Sequence, residues 1–251
     1  MKTVIETIKD SVFTITLNRP DKKNAMSSEL LIDLYQSLTN AENSKASIVI
    51  IRGSGKTFCA GGDIFEFRES KETGTLLNKM ATDLHNSIKK IREIDAIVIA
   101  VVEGAAVGAG LGLALACDIT VAEQNAVMNL AYRRIGLTTD GGGSFFLPRI
   151  GGAKLFSELY LLSRNITMKE AQEIGLVNFV YPQEELENRL AQLVDTLQKL
   201  PMETIHYFKR LVNASCYHGL EEHLDLERLY ISELGGKNLF KDRVESFFKK
   251  G

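Results

Sequence analysis

Between Val101 and Asp118 the chain reads VVEGAAVGAGLGLALACD, and no other stretch restricts the possible folds as much. The run Ile97 to Val102 is apolar without alternation and largely β-branched, which predicts a strand covered on both faces. Gly104, Gly108, Gly110 and Gly112 follow, and Leu111 to Ala116 predicts a buried helix. A strand, a glycine turn and a buried helix in succession point to an α/β fold. A glycine-rich turn that opens a helix leaves backbone N–H groups unpaired, with the positive end of the macrodipole behind them. Such an end holds a phosphate, a carboxylate or a carbonyl oxygen that is becoming an oxyanion. Close helix–strand packing that tolerates only glycine would produce the same composition, so the stretch alone leaves both readings open.

Length and charge narrow the class. A chain of 251 residues has room for one large domain, or for one domain and a smaller appendage. A net charge of -2 excludes a general attraction to nucleic acid or anionic membranes. Cys59, Cys117 and Cys216 are odd in number and lack CxxC spacing, which predicts reduced thiols rather than disulfides or a zinc site. The first residues lack a signal-peptide pattern, and Glu103 and the glycines interrupt the longest apolar run. These features predict a cytoplasmic protein with no membrane or nucleic-acid partner.

Thr3 to Ile8 and Val12 to Leu17 predict a hairpin. Ser27 or Ser28 is placed to cap a helix carrying Leu30, Leu31, Leu34 and Leu38. Ile48 to Arg52 predicts a buried strand, the polar, helix-prone Ile64 to Thr75 a mobile flap, and Leu76 to Ile91 an amphipathic helix. Further strands are expected at Ile119 to Ala122 and Leu176 to Val180. Helices are expected at Ala153 to Leu162, at Met168 to Ile174 with Thr167 as cap, and almost throughout from Glu184 onward. Gly136 to Gly143, GLTTDGGG, is expected to be irregular.

A second glycine turn, AGGD at 60–63, follows the strand at Ile48 to Arg52. Two such turns can each present an N–H into one crevice, and two amides converging on one carbonyl oxygen form an oxyanion hole. Asp63 is read first as the N-cap of the helix after it. Asp140 is the most suggestive titratable residue, a carboxylate in a glycine loop amid mostly apolar sequence. Desolvation would make it a base, whereas an ordinary Asp-Gly turn would explain it as well. His85, His206, His218 and His223 lie on predicted amphipathic helices without an acidic partner at metal-site spacing, and Ser144 has no histidine signal near it. No metal is expected. The GxSxG, GxGxxG and GxxxxGK[ST] patterns are all missing.

Several segments together resemble the crotonase, or enoyl-CoA hydratase/isomerase, superfamily. They are NRPDKKNAM at 18–26, TFCAGGDI at 57–64, GAAVGAGLGLALACDI ending at Ile119, GLTTDGGGSFFLPRIGG at 136–152 and AQEIGLVNFV at 171–180. The resemblance implies a crotonase-like (ClpP/crotonase) spiral of ββα units over residues 1–195. It also implies a C-terminal helical region over 196–251 used to form a homotrimer or a dimer of trimers. It implies an acyl-CoA substrate, so that coenzyme A is part of the substrate and no separate cofactor is needed. By motif match the oxyanion amides belong to Gly62 and Ala109. The CoA moiety is expected along Lys22, Lys23, Ala25 and Met26, along Ala60, Gly61, Gly62, Asp63 and Ile64, and at Gly108, Ala109 and Tyr132. Lys56 or Lys249 is the expected partner of its phosphates.

The departures from the pattern carry the choice of reaction. The two glutamates that hydratases of this superfamily use fall where this chain has Gly112 and Tyr132. At the Asp140 position, related phenylacetate-type isomerases carry an aspartate that shuttles a proton, and an aromatic acyl-CoA dehalogenase carries one that acts as nucleophile. The dehalogenase also uses a helical histidine and a tryptophan. This chain has no Trp, and in the sequence His85 reads as out of register. The expectation is therefore an isomerase in which Asp140 moves a C=C bond, with Gly112 leaving room for a bulkier acyl group. Hydration or thioester hydrolysis by Asp140, and a CoA-binding homologue without catalysis, are the alternatives.

Overall fold

In the computed structural model, which describes residues 2–249, β1 (Val4–Lys9) and β2 (Val12–Leu17) form the expected antiparallel hairpin. α1 (Ser28–Asn43) is capped by Ser27, whose side chain accepts from the Leu30 N–H, while Ser28 already lies within the helix. β3 (Ile48–Gly53), α2 (Ile64–Glu69), α3 (Thr73–Glu93) and β4 (Ile97–Val102) follow. The central stretch then contains β5 (Ala105–Val107), α4 (Ala109–Ala116), β6 (Ile119–Glu123) and β7 (Val127–Asn129). A 3-10 turn at Tyr132–Ile135 leads to α5 (Gly143–Leu162), β8 (Ile166–Thr167), α6 (Met168–Glu173) and β9 (Phe179–Tyr181). The chain closes with α7 (Gln183–Leu197), α8 (Met202–Cys216), α9 (Leu220–Gly235) and α10 (Asn238–Phe248).

Two layers of strands result. The larger sheet runs β1-β2-β3-β4-β6-β9, with every pair after the hairpin parallel. The smaller runs β5-β7-β8 and is extended by single bridges from Cys59 to Ala106 and from Met26 to Gly62. β4–β5 and β6–β7 each give one strand to either layer and then a helix, so the chain spirals by strand, strand, helix. β5 is absent from the sequence reading, which takes the residues after β4 for a plain turn. At three residues it is too short to show a period of two.

The continuous apolar runs of β3 and β4 have a simple cause. Val49, Ile51, Val98 and Ala100 point into the main core, while Ile48, Ile50, Ile97 and Ile99 point to a second cluster. That second cluster is closed by Leu186 and Leu190 of α7 and Ile205 of α8. On α3, Leu77, Met80, Ala81, Leu84, Ile88 and Ile91 form one buried stripe, and α9 packs along it through Leu224 and Ile231. Burying each such side chain contributes about 1.5–3 kcal/mol.

Two local expectations change. The helix-prone segment expected as a mobile flap does form α2, but it is anchored, capped by Asp63 and tied to α1 by Glu66, which accepts from the Ser28 N–H at 2.9 Å. Ser144 to Leu147 and the helix from Ala153 form one element, α5, with Pro148 inside its first half and a kink at Gly152. Among the described residues no helix is long and apolar enough to cross a membrane.

Candidate active site

The two glycine turns meet. Asp63 N–H donates to the Met26 carbonyl and Met26 N–H to the Gly61 carbonyl, so the 60–63 turn is laced to the 18–26 segment. On its other side Gly61 packs against the turn before α4. At Gly61 (φ +92°) a β-carbon would stand 2.9 Å from the Val107 carbonyl, a contact only glycine permits. Among the described residues the Gly62 and Ala109 amides donate to no backbone carbonyl. Gly62 sits one residue before the cap of α2, and Ala109 is the first residue of α4. Both residues line a cavity of about 210 Å³ whose wall also holds Met26, Ala60, Gly61, Ile64, Gly108, Tyr132 and Asp140. The rest of its lining is largely apolar and includes Leu77, Met80 and Leu84 of α3 with Leu137 and Ile231.

Among the described residues Asp140 is the only carboxylate on that wall. Its loop is held at two points. The Tyr132 hydroxyl donates to the Asp140 carbonyl at 3.0 Å, and burial, together with the nearby Asp140, keeps the Tyr132 phenol well above its ordinary range and so protonated. At Gly112, a β-carbon would meet the Gly141 carbonyl closer than the 3.0 Å that real side chains respect. The space beside Gly112 is therefore filled by the Asp140–Gly141 backbone. This corrects the expectation that Gly112 leaves room for a bulkier acyl group.

Behind Asp140 lies a buried polar cluster that the sequence does not announce. His85 Nε2 of α3 is 2.8 Å from Asp140 Oδ1, so His85 is in register with the aspartate and has the acidic partner that its helix did not reveal. The aspartate is accordingly not isolated among apolar groups. Glu227 of α9 places Oε2 3.8 Å from the same His85 nitrogen. Glu227 accepts from Gly142 N–H at 2.7 Å, Ser144 N–H at 2.9 Å and the Ser144 hydroxyl at 2.5 Å. Burial and then Asp140 push its carboxyl above the usual range, against the pull of those three donors. Ser144 does have a histidine beside it, with His223 Nε2 2.9 Å from its oxygen. Since that hydroxyl donates to Glu227, Ser144 is not poised as a nucleophile. His85, Asp140 and Glu227 offer ligand atoms within 4.8 Å of one another, but His85 and Glu227 are already engaged by the hydrogen bonds just described.

Other predicted residues stand outside the cavity wall. Lys22 Nζ lies 3.9 Å from the centre of the Phe65 ring, and the Lys23 carbonyl accepts from Ala60 N–H. The Ala25 carbonyl accepts from Arg19, which also reaches Asp63 at 2.7 Å. Asp63 caps α2 by accepting from the Phe65 and Glu66 amides, the role the sequence favours for it. Lys56 occupies the loop after β3 at φ 58°, and Lys249 caps the end of α10. Cys59 beside Gly61 is fully buried, which pushes its thiol up to about 12 and leaves it protonated.

Comparison with known proteins gives consistent matches along the whole chain. A family model described as "Enoyl-CoA hydratase/isomerase" matches residues 7–251. The 1,2-epoxyphenylacetyl-CoA isomerase of Escherichia coli (strain K12) is 30% identical over 254 residues, covering 100% of this chain and 97% of the relative. The 4-chlorobenzoyl coenzyme A dehalogenase-2 of an Arthrobacter species is 30% identical over 244 residues, covering 96% and 88%. The crystal structure of an enoyl-CoA hydratase from Mycobacterium avium subsp. paratuberculosis K-10 superposes with a TM-score of 0.90 at 27% identity, covering 98% and 96%.

Proposed function

The chain belongs to the enoyl-CoA hydratase/isomerase family, and from that premise we propose that it is an enoyl-CoA isomerase in which Asp140 carries the proton. The observation that carries this reading is that Asp140 is, among the described residues, the only carboxylate on a largely apolar cavity wall that Gly62 and Ala109 also line. The thioester carbonyl oxygen accepts from both amides. As a proton leaves the acyl chain, negative charge moves onto that oxygen, and each preorganised donor stabilises it by about 3 kcal/mol. The Asp140 carboxylate takes the proton and returns it to a different carbon, which moves the C=C bond without net gain or loss of atoms. The expected shift is from the 3,4 to the 2,3 position. The CoA moiety follows the 22–26 and 60–64 segments, with Lys56 or Lys249 at its phosphates. A relative named as an epoxyphenylacetyl-CoA isomerase is compatible with this chemistry.

His85 supports a second reading. A histidine at 2.8 Å from Asp140 suits a route in which Asp140 acts as nucleophile or base and the imidazole helps to activate water, giving hydration or hydrolysis. The two routes differ in oxygen. The isomerase route takes none from labelled water, and the others incorporate one atom.

The deciding experiment offers 3-enoyl, 2-enoyl and aryl-acetyl CoA esters in deuterium oxide and in labelled water. Deuterium exchange at the α or γ carbon with no added oxygen is the expected result. Replacement of Asp140 by Asn should slow exchange by about 10²- to 10⁴-fold while CoA-ester binding persists. Full exchange by that variant overturns the role of Asp140. Homotrimers or dimers of trimers are part of the same reading, supported by exposed Tyr207, Phe208 and Leu211 on α8 and by exposed Leu229 and Tyr230 on α9.

A further inference from the structure

We propose that Glu227, 87 positions after Asp140 in the sequence, is a positioning residue of this site, holding the Asp140 turn through two amides and placing a negative charge beside His85. The inference rests on the isomerase reading only for its kinetic consequence. Its structural part stands on the geometry alone.

Glu227 is 3% exposed on α9. A buried carboxylate is costly unless its oxygens are engaged, and here both are. Oε2 accepts from Gly142, and Oε1 accepts from the amide and hydroxyl of Ser144. Gly142 is the cap of α5 and Ser144 lies in its first turn, so Glu227 satisfies amides that an α-helix leaves unpaired at its start. It does so from a different helix. The turn it grips, Asp140 to Gly142, carries the aspartate on the cavity wall. A carboxylate at this point fixes the turn from behind, as Tyr132 and Gly112 fix it from the side.

The charge of Glu227 has a second effect. His85 Nε2 lies between Asp140 Oδ1 at 2.8 Å and Glu227 Oε2 at 3.8 Å, so one imidazole faces two carboxylates in a buried pocket. The other titratable groups facing this cluster are Tyr132 from the 3-10 turn and, through Ser144, His223 of α9, with Arg149 of α5 nearby. Removing one negative charge from such a cluster makes the pocket less favourable to positive charge, which the pH profile of turnover reads out. A residue that merely filled space would not move that profile.

The test compares wild type with Glu227→Gln and Glu227→Asp in the full-length protein. Deuterium exchange into a CoA ester is followed across about pH 5 to 9, and amide hydrogen exchange is followed at Gly142 and Ser144. Glu227→Gln should slow turnover about tenfold or more with KM within about twofold, and should move both limbs of the pH profile about one unit lower. Glu227→Asp, whose carboxylate is withdrawn by one methylene, should fall between. Limbs that stay at the wild-type pH in whichever variant folds overturn the proposal. If wild type exchanges no proton with any CoA ester, the isomerase reading falls, and Glu227 is then judged by the amides. Protection of Gly142 and Ser144 that drops in the variants supports it, and absence of protection in wild type overturns it.

Discussion

The Gly141 carbonyl occupies the place where a β-carbon on Gly112 would stand. By the resemblance read from the sequence, a hydratase of this superfamily would carry a glutamate at the position of Gly112, a place that the Asp140–Gly141 backbone fills here. Gly112→Glu should therefore not create a hydratase. The new side chain forces the Asp140–Gly141 backbone aside, and overpacking against a backbone costs about 1–3 kcal/mol or more. Even Gly112→Ala should lower stability in chemical denaturation and slow α- or γ-carbon exchange. A stable Gly112→Glu protein that adds water to a 2-enoyl-CoA would show that the loop yields easily.

Tyr132 stands where the resemblance expects the second hydratase glutamate, and its hydroxyl donates to the Asp140 carbonyl. Tyr132→Phe leaves that carbonyl only the Gly143 N–H, which donates to it at 3.2 Å, at a cost of about 0.5–1.5 kcal/mol. Because the ring also borders the cavity, the loss should show in kcat more than in thermal stability, by about tenfold. Unchanged kcat with a lowered melting temperature would reduce Tyr132 to a stabilising role.

What was legible in the sequence followed from local signals. The β-branched runs of β3 and β4, the leucine spacing behind Ser27 and the two glycine turns all lie within one element or one turn of it. Asp140 stood out because glycines surround it. The partners of Asp140 did not, since His85 is 55 residues away on α3 and the bonds from Glu227 to Gly142 and Ser144 span 85 and 83 residues. No periodicity encodes such pairings. They depend on α9 lying along α3, and an isolated Glu on an amphipathic helix reads as solvated until that packing is known. Gly112 misleads for a related reason: a glycine announces missing side-chain volume but not what fills it.

Arg19 and Asp63 join the two segments expected to flank the CoA moiety. Arg19 reaches the Ala25 carbonyl and the Asp63 carboxylate, and Asp63 in turn caps α2 next to Gly62. The pair is mostly buried, with 20% and 5% side-chain exposure. Asp63→Ala leaves the guanidinium unpaired and removes the cap, so it should cost about 3 kcal/mol. Asp63→Asn keeps an oxygen for the cap and should recover part of that stability. If the amide of Gly62 serves the oxyanion, both variants should lower kcat more than binding. Equal kcat in wild type and Asp63→Asn would separate the cap from the chemistry.

Stability should depend on pH in two opposed ways. The Glu227 carboxyl is raised by burial and by Asp140 above its unfolded value near 4.5, so its contribution is fully present below that pH and is lost as pH rises through the folded-state value. His223 is lowered from 6.5 by burial and by Arg149. Its contribution is present above pH 6.5 and is lost as pH falls through the folded-state value, because the ring must then charge beside Arg149. His223→Gln should remove the loss on the acid side of pH 6.5, and Glu227→Gln should remove the loss that begins above 4.5. Each is read from denaturant midpoints measured at a series of pH values. Both residues meet at Ser144, so the double variant should depart from the sum of the single effects. Additive slopes would mean that Ser144 does not couple the two groups.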